Sequence, residues 1–108
     1  MDDLLIDAAR RALRYRDALP ERRVAPTPDT VRALERFREP LDQRGTSAAE
    51  VLEILDDVGS PATVATAGGR YFGFVNGSSF PITVAANWLA TAWDQNAALA
   101  VMSPTAAL

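Results

Sequence analysis

The chain of 108 residues contains no cysteine and no histidine, and all eleven of its basic side chains are arginine, so lysine is missing too. Without cysteine there is no disulfide and no thiol chemistry. Without histidine the commonest general base and metal ligand is gone, and no metal site is expected. Without lysine the chain cannot supply the amine for a Schiff base. A self-contained active site would have to rest on serine, tyrosine and carboxylates. Strong positive charge is also lacking: the net charge of -3 gives no electrostatic case for nucleic acid.

Long hydrophobic runs are scarce. The longest stretch without charge, Tyr71 to Trp93, carries Asn76, Ser78, Ser79, Pro81 and Asn87, and Asp94-Gln95-Asn96 follow it. That is too polar to span a bilayer. Met1-Asp2-Asp3 is acidic where a secretory leader would be basic. The chain reads as soluble and cytoplasmic, with no membrane partner. Its apolar fraction of 48% and charged fraction of 23% lie near the globular average, and its length suits at most one domain.

What is present is mostly helical pattern. Asp2 to Leu19 reads as a helix, with acids at its start and Arg14 and Arg16 near its end, as the helix dipole favours. Leu5, Ile6, Ala9, Ala12 and Leu13 form one narrow apolar face, better suited to packing on another surface than to building a core. Pro20 to Pro28 is an extended connector. Thr27 can cap a second helix with Pro28 at its first position, and Val31, Leu34, Phe37 and Leu41 follow at spacings of three and four. Pro40 ends or kinks it, and Asp42 to Gly45 is a loop. Ser47-Ala-Ala-Glu50 is a capping box opening a third helix with Val51, Leu52, Leu55 and Val58 on its apolar face, and Gly59 is expected to stop it. Ser60-Pro61 is expected to start a short helical piece over Ala62 to Ala67, ended by Gly68-Gly69.

The chain then changes character. Residues 68–108 hold both tryptophans, three of the four phenylalanines and four of the six glycines. Arg70 to Val75 is aromatic and extended, Asn76-Gly77-Ser78-Ser79 is turn chemistry, and Pro81 begins a helix reaching about Gln95. Ala85, Trp88, Leu89, Ala92 and Trp93 cluster on one of its faces, and Asn96 to Met102 is helix-permissive. Ser103-Pro104 again signals a helix start, with only about one turn after it. On that reading the chain is expected to belong to a longer one.

Read from the residues alone, little here carries chemistry. Asp2-Asp3 and Asp56-Asp57 are paired acids on what read as solvated helix faces. Arg70 suits either a bidentate grip on a carboxylate or phosphate, or a salt bridge at an element boundary. Phe72 to Gly77 is either a buried anchor or a pocket lining with aromatic walls and a polar Asn76. Asp94-Gln95-Asn96 suits solvent, an interface or a pocket mouth.

The order Arg70-Tyr-Phe-Gly-Phe-Val-Asn-Gly-Ser-Ser-Phe-Pro81, then Val84-Ala-Ala-Asn-Trp-Leu89, Asp94-Gln-Asn96 and Ser103-Pro104 resembles the group II pyridoxal-phosphate-dependent decarboxylases, the family of aromatic-amino-acid, histidine and glutamate decarboxylases. Gly68-Gly69 stand where that family has His-Pro, and Asn87 where it has Asp. The likeness runs over about forty residues; residues 1–67 match only in kind.

The resemblance implies a mainly α segment of a fold-type I, aspartate-aminotransferase-like α/β enzyme, with the large domain absent. Residues 1–67 would be the N-terminal helical dimerisation arm, and 68–108 a substrate-pocket loop and helix leading into that domain. It implies a homodimer formed through the N-terminal helices, with pyridoxal 5'-phosphate held by a lysine of the absent domain. The implied activity is amino-acid decarboxylation, a carbon–carbon lyase reaction, with the 108 residues inactive alone. The implied substrate-binding residues are Phe74, Val75, Asn76 and Gly77, with Asn96 and Ala98 reaching the partner's site; no catalytic or cofactor-binding residue is implied here. The alternative is a free-standing helical interaction module without catalysis, which the missing lysine, histidine and cysteine favour.

Overall fold

A computed structural model describes residues 2–95 and 101–107, with side chains for 2–95 and 101–105. It is mainly helical, with no strand among the described residues. The chain divides into two units, Met1–Asn76 and Gly77–Leu108.

In the first unit, α1 spans Asp2–Asp17, with Asp2 and Asp3 in its first turn and Arg14 and Arg16 in its last. Helix α2, Pro28–Arg32, begins as its cap chemistry demands. The Thr27 side chain accepts from the Thr30 N–H at 3.3 Å, and Pro28 occupies the first turn, where a missing N–H costs nothing. It tightens into a 3-10 segment, Ala33–Arg38. Glu39 is extended, at φ -60° and ψ 143°, because the ring of Pro40 disfavours a helical residue before it. Helix α3, Ala48–Ile54, starts at Ser47, whose Oγ accepts from the Glu50 N–H at 3.2 Å.

Gly59 does not stop this helix. The backbone stays helical through a wider π turn, Leu55–Gly59, and a 3-10 turn, Ser60–Ala62, and becomes extended only at Thr63. Gly59 has ordinary helical angles, φ -76° and ψ -47°, and serves packing: a Cβ built there would lie 3.7 Å from the Phe37 ring. The helical piece expected over Ala62 to Ala67 is likewise not formed. The Ala65 N–H donates instead to the carbonyl of Val24 at 2.9 Å, tying this strap to the connector after α1.

The apolar faces also differ from expectation. Leu5, Ile6 and Leu13 of α1 are exposed, at 56%, 48% and 60%. The side of α1 turned toward the rest of the unit carries Leu4, Asp7, Ala8, Arg11, Tyr15 and Leu19. Asp56, read as solvated, is the acceptor for that side: Arg11 donates to it at 3.1 Å and Arg14 at 2.9 Å, while Arg11 also pairs with Asp7 at 2.9 Å. Further along, the Arg22 guanidinium stacks 4.5 Å from the Tyr15 ring centroid and donates to the Ser60 carbonyl, and Tyr15 Oη lies 2.9 Å from Thr63 Oγ1. In α3 and its continuation, Val51 and Leu55 are exposed; Leu52, Ile54 and Val58 are the half-buried positions.

In the second unit, α4 spans Pro81–Trp93. Thr83 Oγ1 accepts from the Phe80 N–H at 3.0 Å and donates to the Phe80 carbonyl at 2.9 Å, which replaces a capping side chain at Phe80. Asp94 closes the helix in the left-handed region, φ 48° and ψ 50°, a conformation that a short polar side chain tolerates better than most. Apart from half-buried Val84, the α4 side chains are exposed, including Ile82 at 74%, Leu89 at 53% and Trp93 at 55%. A 3-10 turn, Pro104–Ala107, follows buried Ser103.

Among the described residues Ala65 is the one fully buried apolar side chain. The accessible surface is 8814 Å². A monomeric globular protein of this mass exposes about 5,800 Å², and two separate bodies of these lengths about 7,000 Å². This chain therefore leaves uncovered the apolar area that a closed domain hides.

Because α1 is held largely by charge, Asp56→Asn should lower the thermal midpoint followed by circular dichroism at low salt. The difference from wild type should shrink as salt is raised, since partly exposed pairs are screened. An effect that is independent of salt would mean that apolar contacts hold the helix.

Candidate functional site

The loop following Gly68-Gly69 is built by short-range contacts. Gly68 N–H donates to the Ala65 carbonyl at 3.1 Å, and Tyr71 N–H to the Gly68 carbonyl at 3.3 Å. Arg70 makes neither the anion grip nor the salt bridge considered for it. Its guanidinium donates to the Arg22 carbonyl, anchoring the start of the loop to the connector after α1. From Tyr71 the chain bends without forming a strand. Asn76 Nδ2 donates to Tyr71 Oη at 3.0 Å, closing the loop on itself. The unit boundary falls after Asn76, and Gly77, first residue of the second unit, has φ +70°. That angle suits glycine in a turn.

Four of the six expected substrate residues are consecutive here. Phe74 and Val75 point outward, 90% and 100% exposed, beside Phe72 at 92%. Asn76 is exposed but tethered, and Gly77 has open space around it. Asn96 and Ala98 lie outside the described residues, so only the loop half of the expected site has a geometry. At the end of α4, Gln95 Nε2 donates to the Trp93 carbonyl at 2.7 Å, folding the polar segment back on the helix.

Concave surface lies elsewhere in the first unit. An open cleft of about 280 Å³ is bordered by Arg11, Arg14, Tyr15, Arg22, Asp56 and Ser60. Three guanidiniums at one cleft suggest an anion site, but their capacity is spent. Arg11 pairs with Asp7 and Asp56, Arg14 with Asp56, and Arg22 stacks on Tyr15 and donates to Ser60 and Thr63. Arg11 is held above the ordinary arginine range, first by its hydrogen bond to Asp7, against some desolvation, and then by Asp56. A raised folded-state pKa contributes stability below the unfolded value and loses it as pH climbs through the folded one. For an arginine that window lies in strong alkali, so the cluster acts as a structural tie throughout the neutral range. No group of three acidic side chains among the described residues is placed to hold a metal ion. No described helix is long and apolar enough to cross a membrane.

Two features of the site have no signature in the sequence. The Tyr71–Asn76 bond joins residues five apart in an irregular segment, where no periodicity applies. The Asp56 tie joins α1 to the end of α3, across more than forty residues; its one trace is the pair of arginines at Arg11 and Arg14, three apart and so on the same side of a helix.

No family model matches the chain, and no curated protein or solved structure matches it either.

Since Phe74 and Val75 touch little in this chain, Phe74→Ser and Val75→Ser should each change unfolding free energy in urea by no more than about 0.5 kcal/mol. A loss well above about 1 kcal/mol would assign these side chains to a core instead.

Proposed function

We propose that this chain is the N-terminal part of a cytoplasmic, homodimeric, pyridoxal-phosphate-dependent amino-acid decarboxylase of fold type I, contributing dimer interface and substrate-pocket walls. The observation that carries the reading is the uncovered apolar surface: the outer face of α1, the Phe72–Val75 loop and nearly all of α4 are exposed. Helices apolar on most sides occur in the interior of larger bodies, and exposed patches of this extent mark surfaces that another element covers.

Pyridoxal phosphate, the cofactor implied by the resemblance, does not fit these residues as a binding site. Its Schiff base needs a lysine amine, and the chain has none. When bound, the cofactor supplies an electron sink for loss of carbon dioxide; the lysine that holds it belongs to another part of the enzyme. The part left to this chain is shaping. Phe74 and Val75 offer apolar wall, and Asn76 a polar edge. No charged residue lies between Arg70 and Asp94, so the loop brings no cation to pair a second carboxylate. Desolvating an acidic side chain against such a wall is costly, and the loop therefore favours an amino acid with an uncharged side chain.

The partner for α1 is a second copy. One stripe of the helix runs Asp2, Leu5, Ile6, Ala9, Leu13, Arg16, with an acid at one end and a base at the other. Two such helices packed antiparallel about a two-fold axis set each Asp2 near the other copy's Arg16, over small Ala9 at the crossing. The second reading, a free-standing interaction module, draws on the missing lysine, histidine and cysteine.

Two measurements separate the readings. Coding sequence that continues past Leu108 into a segment with a His-Lys cofactor motif, in a product that binds pyridoxal phosphate and releases carbon dioxide from an amino acid, supports the enzyme. A stop codon directly after Leu108 rules it out and leaves the module. Sedimentation of the chain should show a dimer, and Leu5→Asp combined with Leu13→Asp should give monomers of unchanged helical content. A dimer that survives both substitutions would exclude the α1 face.

A further inference from the structure

We infer that Tyr71 is the positioning residue of the Phe72–Asn76 loop, fixing through its phenol and ring the direction in which Phe74, Val75 and Asn76 face a ligand. Among the described residues, no main-chain hydrogen bond lies within 72–76. The loop is closed instead by a side chain at each end, Asn76 Nδ2 donating to Tyr71 Oη at 3.0 Å. Residues 72–78 are exposed while Tyr71 is half-buried, so the tyrosine is the fixed end of the clamp and the loop the element it holds.

Gly73 supports the same arrangement from the other side. A Cβ there would lie 2.5 Å from Tyr71 Oη and 2.7 Å from its Cζ, inside any permitted contact. The phenol end of the tyrosine therefore lies against the glycine's main chain, and glycine is the one residue that admits it. Gly69, two residues before Tyr71, shows no such demand: a methyl group at that position would meet nothing within 4 Å. The clamp thus has three parts, Tyr71, Gly73 and Asn76. Its effect is to turn two large apolar side chains outward on a loop whose direction is set before binding. Setting a loop in advance removes an ordering cost from association.

The ligand-facing role rests on the reading proposed above; the clamp itself does not. The experiment is ¹⁵N–¹H NMR on the 108-residue chain, comparing wild type with Tyr71→Phe, Gly73→Ala and Gly69→Ala. Tyr71→Phe removes one oxygen and keeps the ring, so the fold is retained. It should shift the Asn76 side-chain amide signals and lower the order parameters of residues 72–76, leaving α1 unmoved. Gly73→Ala should do the same by displacing the ring, and Gly69→Ala should match wild type. Asn76 amide signals and loop order unchanged in Tyr71→Phe would overturn the inference. In a cofactor-loaded parent enzyme, Tyr71→Phe should raise KM about 2- to 10-fold at constant kcat, the cost of ordering one loop on binding. An equal fall in kcat with KM unchanged would also overturn it. Because the NMR comparison needs neither cofactor nor substrate, failure of the clamp and failure of the decarboxylase reading give separate results.

Discussion

Asp56 accepts from two arginines of α1 at once, and the first unit depends on that arrangement. A helix that turned its leucines and isoleucine inward would be held by burial, at about 25 cal/mol per Å² of apolar surface. Here those residues face out, and the inward side carries Asp7, Arg11 and Tyr15 among smaller apolar groups. The attachment is polar and directional: Arg11 and Arg14 on Asp56, Arg22 over Tyr15, Tyr15 against Thr63. Such contacts fix geometry well and contribute little free energy each when partly exposed. They leave the apolar stripe of α1 available to another body, as an interface helix requires.

The same economy runs through the unit. The strap from Thr63 to Arg70 is held by bonds to main-chain carbonyls, Ala65 to Val24 and Arg70 to Arg22, with one fully buried apolar residue at its centre. The connector after α1 thereby becomes the platform for the Tyr71 loop. Each step from Asp56 to Asn76 is a hydrogen bond or an ion pair, so the loop's position is specified by pairing and little by packing.

Local signals are readable in this chain and tertiary ones are not. The starts of α2, α3 and α4 stand where Thr27, Ser47 and Pro81 place them, because a cap is decided by residues within one turn. The end of α4 and the turn at Gly77 are local for the same reason. The inward face of α1 departs from expectation because amphipathicity names the apolar side of a helix without naming what covers it. Inside this unit the charged edge finds a partner and the apolar edge does not. Gly59 misleads because a glycine that ends a helix and a glycine that admits a neighbouring ring look alike in sequence; Phe37, whose ring it admits, lies far back along the chain. At the candidate site, the outward direction of Phe74 and Val75 depends on the Tyr71–Asn76 bond, for which irregular backbone leaves no pattern.

The π turn at Leu55–Gly59 has a consequence for how such chains can diverge. A π turn holds one residue more per hydrogen-bonded ring than an α turn. Loss of a single residue here would restore α geometry, and everything beyond the deletion would rotate by about 100° about the helix axis. Gly59 would leave the Phe37 ring and Ser60 would leave the Arg22 guanidinium. The length of this segment is therefore a register, and insertions or deletions between Ile54 and Ser60 should be far rarer among related sequences than substitutions at the same positions.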